Sequence, residues 1–330
     1  MPRDSRILLG DYPTPVDRID ALPTRRGTLW VKRDDLSSPV YGGNKVRKLE
    51  LLLAAARDAG RSKILTIGAV GSHQVVATAV YGERHGFSVE AILVAQPSSP
   101  HARMNLSVAL AHGLVATVAP AWALAPPLLA MRWERDAYFI RLGGSSALGS
   151  LGFVDAAREL AAQIAAGELS EPDVVFVAMG SGGTAAGLAV GFEQAGLRTR
   201  VIGVAISPPA PLLAHLARRL AMKTAALAGL PPAAGVRAAR RIEVDGRWIG
   251  RGYGHPTAEG DDAIADARVA GLTLDATYTA KGFAAALAHV REGKSDHVLF
   301  WHTLSTAPLA QLLGDAGAVP LPSRLERLFR

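Results

Sequence analysis

Along nearly the whole chain, short runs rich in β-branched residues alternate with longer alanine- and leucine-rich stretches. The pattern predicts strands over 28–31, 64–67, 89–94, 115–118, 138–142, 174–177, 201–206 and 297–302. It predicts helices over 45–59, 73–86, 151–166, 185–195 and 308–316, and a helix, a loop and a second short helix within 208–241. Near-continuous apolar strands alternating with helices specify an α/β fold, with parallel sheets covered on both faces. In such sheets ligands sit beyond the carboxyl ends of the strands, where turns lead into helix N-termini. Those turns are the places to look for chemistry.

At 330 residues the chain exceeds the size at which one core tends to split, so two domains are expected. There is no cysteine, which excludes disulfides, thiolate metal sites and a cysteine nucleophile together, and no metal site is expected. The first residues, MPRDSRILLGDYPTP, show no apolar core of a signal peptide, and no apolar run approaches the ~18 residues of a membrane span. A cytoplasmic protein without membrane partners is the expectation. The net charge of +7 comes from 36 basic against 29 acidic residues, and the basic ones are dispersed. The denser spots, Arg218 with Arg219 and then Arg237, Arg240 and Arg241, lack interleaved aromatics, so nucleic acid is not an expected partner.

Four turns carry candidate residues. Gly180-Ser181-Gly182-Gly183-Thr184 joins an apolar strand to a helix, and its glycines let backbone N–H groups approach an anion. It lacks the Gly-Lys-Ser/Thr of a P-loop, and no acidic residue follows the next strand as a dinucleotide site requires. A cradle for a single phosphate remains; the plain alternative is a tight strand–helix turn. Gly42-Gly43-Asn44-Lys45 places a lysine at a helix start capped by Asn44, where the helix dipole disfavours its ammonium form and suits a nucleophilic amine. Lys48 lies one turn on, and a solvated basic helix is the alternative there. Gly71-Ser72-His73-Gln74 combines a hydroxyl, an imidazole and free helix N–H groups, a set suited to a carboxylate or simply to capping. Asp275-Ala276-Thr277-Tyr278-Thr279 reads as another strand-to-helix turn and presents a phenol beside a hydroxyl.

A lysine at a helix start together with a phosphate cradle lacking nucleotide features suggests pyridoxal phosphate. Here the sequence resembles the fold-type II pyridoxal-phosphate enzymes, in the group of D-cysteine desulfhydrase and 1-aminocyclopropane-1-carboxylate (ACC) deaminase. The likeness rests on VKRDDLSSPVYGGNKVRKLE, LGSLGFVDAARE, the GSGGT loop, YGHP and ATYTAKG, and runs over nearly the whole chain. It implies a two-domain, tryptophan-synthase-β-like architecture, each domain an open, mostly parallel sheet flanked by helices. A larger cofactor domain (1–47 and 149–330) would carry a smaller inserted one (48–148).

Residue by residue, the resemblance implies that Lys45 holds pyridoxal 5'-phosphate covalently and that Gly180, Ser181, Gly182, Gly183 and Thr184 bind its phosphate. Asn44 and His73 would adjoin the cofactor. Ser72, His73 and Gln74 would hold the carboxylate of a small amino-acid substrate, with Ser72 also taking part in proton transfer. Tyr278 would be the acid/base phenol with Tyr253 close by, and Thr279 would face the ring nitrogen. ACC deaminases have Glu and Leu where this chain has Thr279 and Thr303, and desulfhydrases have Thr at both, so a β-eliminating lyase is expected. ACC deamination, β-replacement and a non-catalytic binding role are the alternatives. A homodimer is also implied. Two positions depart from the family pattern: His73 stands for asparagine, and Leu304-Ser305 for two glycines.

Overall fold

The computed structural model describes residues 5–24, 27–316 and 320–329. Among these, the strands are β1 (Val16–Arg18), β2 (Thr28–Lys32), β3 (Lys63–Ala69), β4 (Ser88–Val94), β5 (Val115–Val118), β6 (Ala137–Ile140), β7 (Val174–Met179), β8 (Arg200–Ala205), β9 (Ile242–Asp245) and β10 (His297–Trp301). The helices are α1 (Asn44–Asp58), α2 (His73–Arg84), α3 (Pro100–Ala111), α4 (Ala125–Met131), α5 (Ala147–Ala165), α6 (Gly183–Ala195), α7 (Ala210–Leu227), α8 (Pro232–Arg240), α9 (Ala258–Val269), α10 (Thr279–Arg291) and α11 (Ser323–Glu326). The chain forms two compact units. The larger takes Gly10–Lys48 and Ser145–Thr306; the smaller takes Leu49–Gly144 with the described parts of Met1–Leu9 and Ala307–Arg330.

The larger unit is built on a six-stranded sheet in the order β1-β2-β10-β7-β8-β9. Only β1 runs antiparallel; every other pairing is parallel. Alternate residues of one strand point to opposite faces, and β10 shows the consequence. Leu299 and Trp301 enter the core formed with α5 to α8, while Val298 and Phe300 enter the one formed with α9 and α10. Burial on both faces is why these strands are continuously apolar. The smaller unit has a four-stranded, all-parallel sheet in the order β5-β4-β3-β6. The fold is α/β, two mostly parallel sheets flanked by helices.

Several elements differ from the sequence pattern. β1 and β9 are too short to stand out, and pairing supplies them: β1 lies against β2, and β9 against β8. The 138–142 strand ends at Ile140, and Leu142–Gly144 forms a 3-10 turn instead. α5 starts at Ala147 because Ser146 caps it, accepting from the Gly149 N–H at 3.0 Å. Over Leu309–Ala316 the expected helix is a 3-10 run, tightened by the Gln311 N–H bonding the Pro308 carbonyl at 3.0 Å. No strand precedes Asp275; Leu272 and Leu274 are buried in the core without joining the sheet. No helix among the described residues is long and apolar enough to cross a membrane.

A buried polar network anchors the first turn of α1. Arg47 donates to both oxygens of Asp34 and to both of Glu159. The fully buried Lys32 ammonium pairs with Glu159 at 2.5 Å and donates to Gln163 at 2.6 Å, and the Trp301 indole N–H reaches Asp34 at 2.8 Å. Buried charges persist only when paired and hydrogen-bonded in this way. The network fixes the helix two residues from Lys45.

Candidate active site

The turn before Lys45 is held from the strand-end segment that follows β10. The Gly42 N–H donates to Ser305 Oγ at 2.9 Å and the Asn44 N–H to the Thr303 carbonyl at 3.2 Å. Gly43 has φ +83°, and a Cβ there would come within 2.6 Å of the Thr303 oxygen. In this chain the glycine that allows this close approach is thus Gly43, while Gly42 makes room for the Asp35 carbonyl, 2.4 Å from where its Cβ would stand. Leu304 is buried, and Ser305 adds the hydroxyl that ties the two turns together. Asn44 does not cap α1 as expected. It is the first helical residue, and its amide donates to Thr184 Oγ1 at 3.1 Å, joining the lysine turn to the glycine loop. Lys45 is partly buried, and burial lowers its amine to about 8 against the opposing attraction of Asp275.

The glycine loop forms the N-terminus of α6, with Gly182 in the left-handed conformation at φ +81°. Ser145, which the sequence reading passed over, sits at its centre. Its hydroxyl bonds Ser181 Oγ at 2.8 Å, accepts from the Gly183 N–H at 3.2 Å and lies 3.5 Å from Lys48 Nζ. Lys48 is buried, and desolvation together with the Lys45 charge pushes its amine well down. A Cβ on Gly183 would stand 2.4 Å from Ser145 Oγ and 3.0 Å from Lys48 Nζ, so a larger residue would displace the Ser145 hydroxyl from the loop. Hydroxyls, a backbone N–H, a lysine amine and a helix N-terminus converge here, a set that fits a phosphate, whose charge would also favour the protonated amine.

The third turn starts α10. Asp275 accepts from the N–H groups of Thr277, Tyr278 and Thr279 and from the Thr279 hydroxyl at 2.7 Å. Thr279 is fully buried, and its oxygen accepts from the Asp275 N–H at 2.8 Å. The Tyr278 hydroxyl donates to the Tyr253 hydroxyl at 2.9 Å. Burial pushes the Tyr253 phenol up to about 12, and the Tyr278 phenol is raised well above its ordinary range. A Cβ on Gly180 would lie 3.6 Å from the Tyr278 ring, so glycine loop and phenol are neighbours.

The remaining candidates lie in the smaller unit. Ser72 caps α2, accepting from the Gln74 N–H at 3.2 Å. His73 Nε2 is 3.2 Å from His101 Nε2. Gln74 is buried and its amide donates to Thr78 on its own helix at 2.7 Å. The sequence reading also gave no role to Asp275 or Lys281; an Asp four residues ahead of a helix-starting Thr was the only available signal.

A nucleophilic lysine amine joined through Asn44 to a phosphate cradle serves enzymes that carry an aldehyde cofactor on lysine. Comparison with known proteins agrees. The model of the family described as pyridoxal-phosphate dependent enzyme matches residues 7–303. The chain belongs to this family, and its cofactor is pyridoxal 5'-phosphate. It is similar to the Nocardicin C-9' epimerase of Nocardia uniformis subsp. tsuyamanensis, at 35% identity over 97% of each chain. It is 34% identical to the D-cysteine desulfhydrase of Yersinia enterocolitica, over 90% of this chain and 93% of the relative. Among solved structures, one described as an ACC deaminase homologue superposes with a TM-score of 0.76 at 27% identity, covering 98% of this chain and 96% of the other.

Proposed function

We propose that this enzyme is a lyase that eliminates the β-substituent of a small amino acid, with D-cysteine or another β-substituted alanine as substrate. The observation that carries the reading is the Lys45 amine, lowered to about 8 and linked through Asn44 to the cradle of hydroxyls and helix N-terminus around Gly183. The relatives named D-cysteine desulfhydrase support the choice of reaction. With D-cysteine the balance is cysteine plus water giving pyruvate, ammonia and hydrogen sulfide.

Bound pyridoxal phosphate supplies an electron sink that makes the substrate α-C–H acidic. Lys45 would hold the cofactor through its amine, and the same amine would serve as the base for the α-proton. Ser145, Ser181, the Gly183 N–H, Thr184 and Lys48 bind the phosphate. Ser72 and the α2 N-terminus receive the substrate carboxylate. Tyr278 and Tyr253 exchange a proton with the departing group. Of the two family threonines, Thr279 is bonded to Asp275 as donor and acceptor and Thr303 is partly exposed, and both would adjoin the bound ring.

The test is to supply purified holoenzyme with D-cysteine and β-chloro-D-alanine and measure pyruvate and sulfide. Absence of a cofactor absorbance band on the protein, or full turnover by Lys45→Ala, overturns the reading. A second reading, inversion at the α-carbon, is favoured by the epimerase relative. It is distinguished by deuterium entering the α-position from heavy water without loss of the β-substituent. The proposal includes a cytoplasmic homodimer; light scattering checks the dimer.

A further inference from the structure

Lys281 is fully buried, yet the proposed chemistry gives it no part. It lies in the first turn of α10, three residues after Tyr278, at the end of the helix where the dipole opposes a positive charge. Its ammonium donates to two main-chain carbonyls, Ile249 at 2.9 Å and Gly252 at 3.2 Å. Burying an ammonium is costly, and the Asp275 charge and two neutral carbonyls offset that cost only in part. Such an arrangement does not serve helix stability.

Both carbonyls belong to one loop, residues 246–257, which connects β9 to α9 and carries Tyr253. The loop has few internal ties, Gly252 N–H to Ile249 O at 3.1 Å and His255 N–H to Gly252 O at 3.3 Å among them. Gly250, Gly252 and Gly254 all have positive φ, at +58°, +109° and +78°. A segment with this much glycine loses much conformational freedom when it is fixed. The Trp248 indole ties its start to Asp245 at 2.9 Å, and around Tyr253 two side chains at the start of α10 fix it. Tyr278 meets the Tyr253 hydroxyl at 2.9 Å, and Lys281 holds the carbonyl immediately before Tyr253.

We propose that Lys281 is a positioning residue whose ammonium clamps the Ile249 and Gly252 carbonyls and so delivers the Tyr253 hydroxyl to Tyr278. This rests on reading the two phenols as the acid/base pair of the reaction. Without the clamp the loop opens and the phenols part, while Lys45 and the phosphate cradle stay in place.

The test compares cofactor-loaded wild type with Lys281→Met, Tyr253→Phe and the double variant. In Lys281→Met, hydrogen exchange over 246–257 accelerates by about tenfold or more while exchange in α6 is unchanged. Its kcat falls by about 100-fold with KM little altered, the cost of a misplaced group. In the Tyr253→Phe background the same substitution changes kcat little, because the residue it positions is gone. If Lys281→Met does not fold, Lys281→Gln, which keeps one N–H donor, shows the same changes at smaller size. Wild-type exchange rates over the loop in the folded variant, or kcat losses that multiply in the double variant, overturn the clamp. Full turnover by Tyr253→Phe alone overturns instead the acid/base reading on which it rests.

Discussion

The Tyr278 hydroxyl donates to the Tyr253 hydroxyl at 2.9 Å, with the rings edge to face, 5.7 Å apart at 83°. The donor direction makes the two phenols unequal. Tyr253 receives a hydrogen bond that favours its ionised form, so burial lifts it only to about 12 while Tyr278 stands higher. Tyr253 is therefore the first of the pair to release a proton.

Tyr253→Phe and Tyr278→Phe each lower kcat by about 10²- to 10⁴-fold, and the double variant is little worse than the poorer single one. Tyr278→Phe also removes the bond that lowers the Tyr253 phenol, so tyrosinate absorbance titrates at higher pH than in wild type. A downward movement contradicts the donor direction.

Loading of the cofactor-free chain with pyridoxal phosphate follows the neutral Lys45 amine. With the amine lowered from 10.5 to about 8, the neutral fraction at pH 7.5 rises from about one in a thousand to about one in four. The rate of borohydride-trapped incorporation rises with pH through a midpoint near 8, and Asp275→Asn moves the midpoint lower because the Asp275 charge stabilises the ammonium. A midpoint above 10 in wild type contradicts the buried amine.

Two glycines of α6 separate cofactor binding from stability. A Cβ on Gly187 would lie 2.2 Å from the Ser150 carbonyl oxygen, which is backbone and cannot yield. Gly187→Ala destabilises the protein by about 1–3 kcal/mol in chemical denaturation. At Gly183 the crowded atom is the Ser145 hydroxyl at 2.4 Å, which can rotate away. Gly183→Ala keeps its melting temperature but binds pyridoxal phosphate at least about tenfold more weakly, one lost charge-assisted hydrogen bond.

Arg47→Met leaves Asp34 and Glu159 buried without their main partner. The expected loss is about 3–5 kcal/mol, read from denaturant unfolding. Burial pushes the Glu159 carboxyl up, but Arg47 and Lys32 together hold it below its ordinary value. A depressed carboxyl stabilises the fold above its unfolded pKa and loses that contribution as the pH falls through its folded pKa. Wild type therefore weakens on acidification below about pH 4.5, and the variant weakens less steeply over the same range.

The long, doubly covered elements were legible because their periodicity is local. β4 and β7 lie within two residues of the expected bounds, and α2, α7 and α8 follow the pattern closely. β1 (VDR) and β9 (IEVD) are interrupted by charged residues and carry too little apolar pattern, and pairing with β2 and β8 makes them strands. At the site, Lys45 and the glycine loop announced themselves as turn residues followed by a helix. Ser145 did not, because its place depends on Ser181 and Gly183, more than thirty residues away in the chain.

By itself the sequence determined the α/β class and marked Lys45 and the glycine loop as residues of strand-to-helix turns. These follow from apolar periodicity and from glycines whose backbone freedom is a local property. Only the tertiary structure decided what each side chain does. It turned Asn44 from a cap into a tie to Thr184 and committed Thr279 to Asp275. It also set the buried Lys281 on the loop that carries Tyr253. Hydrogen-bond partners and desolvation are properties of neighbours in space, and folding alone brings those neighbours together.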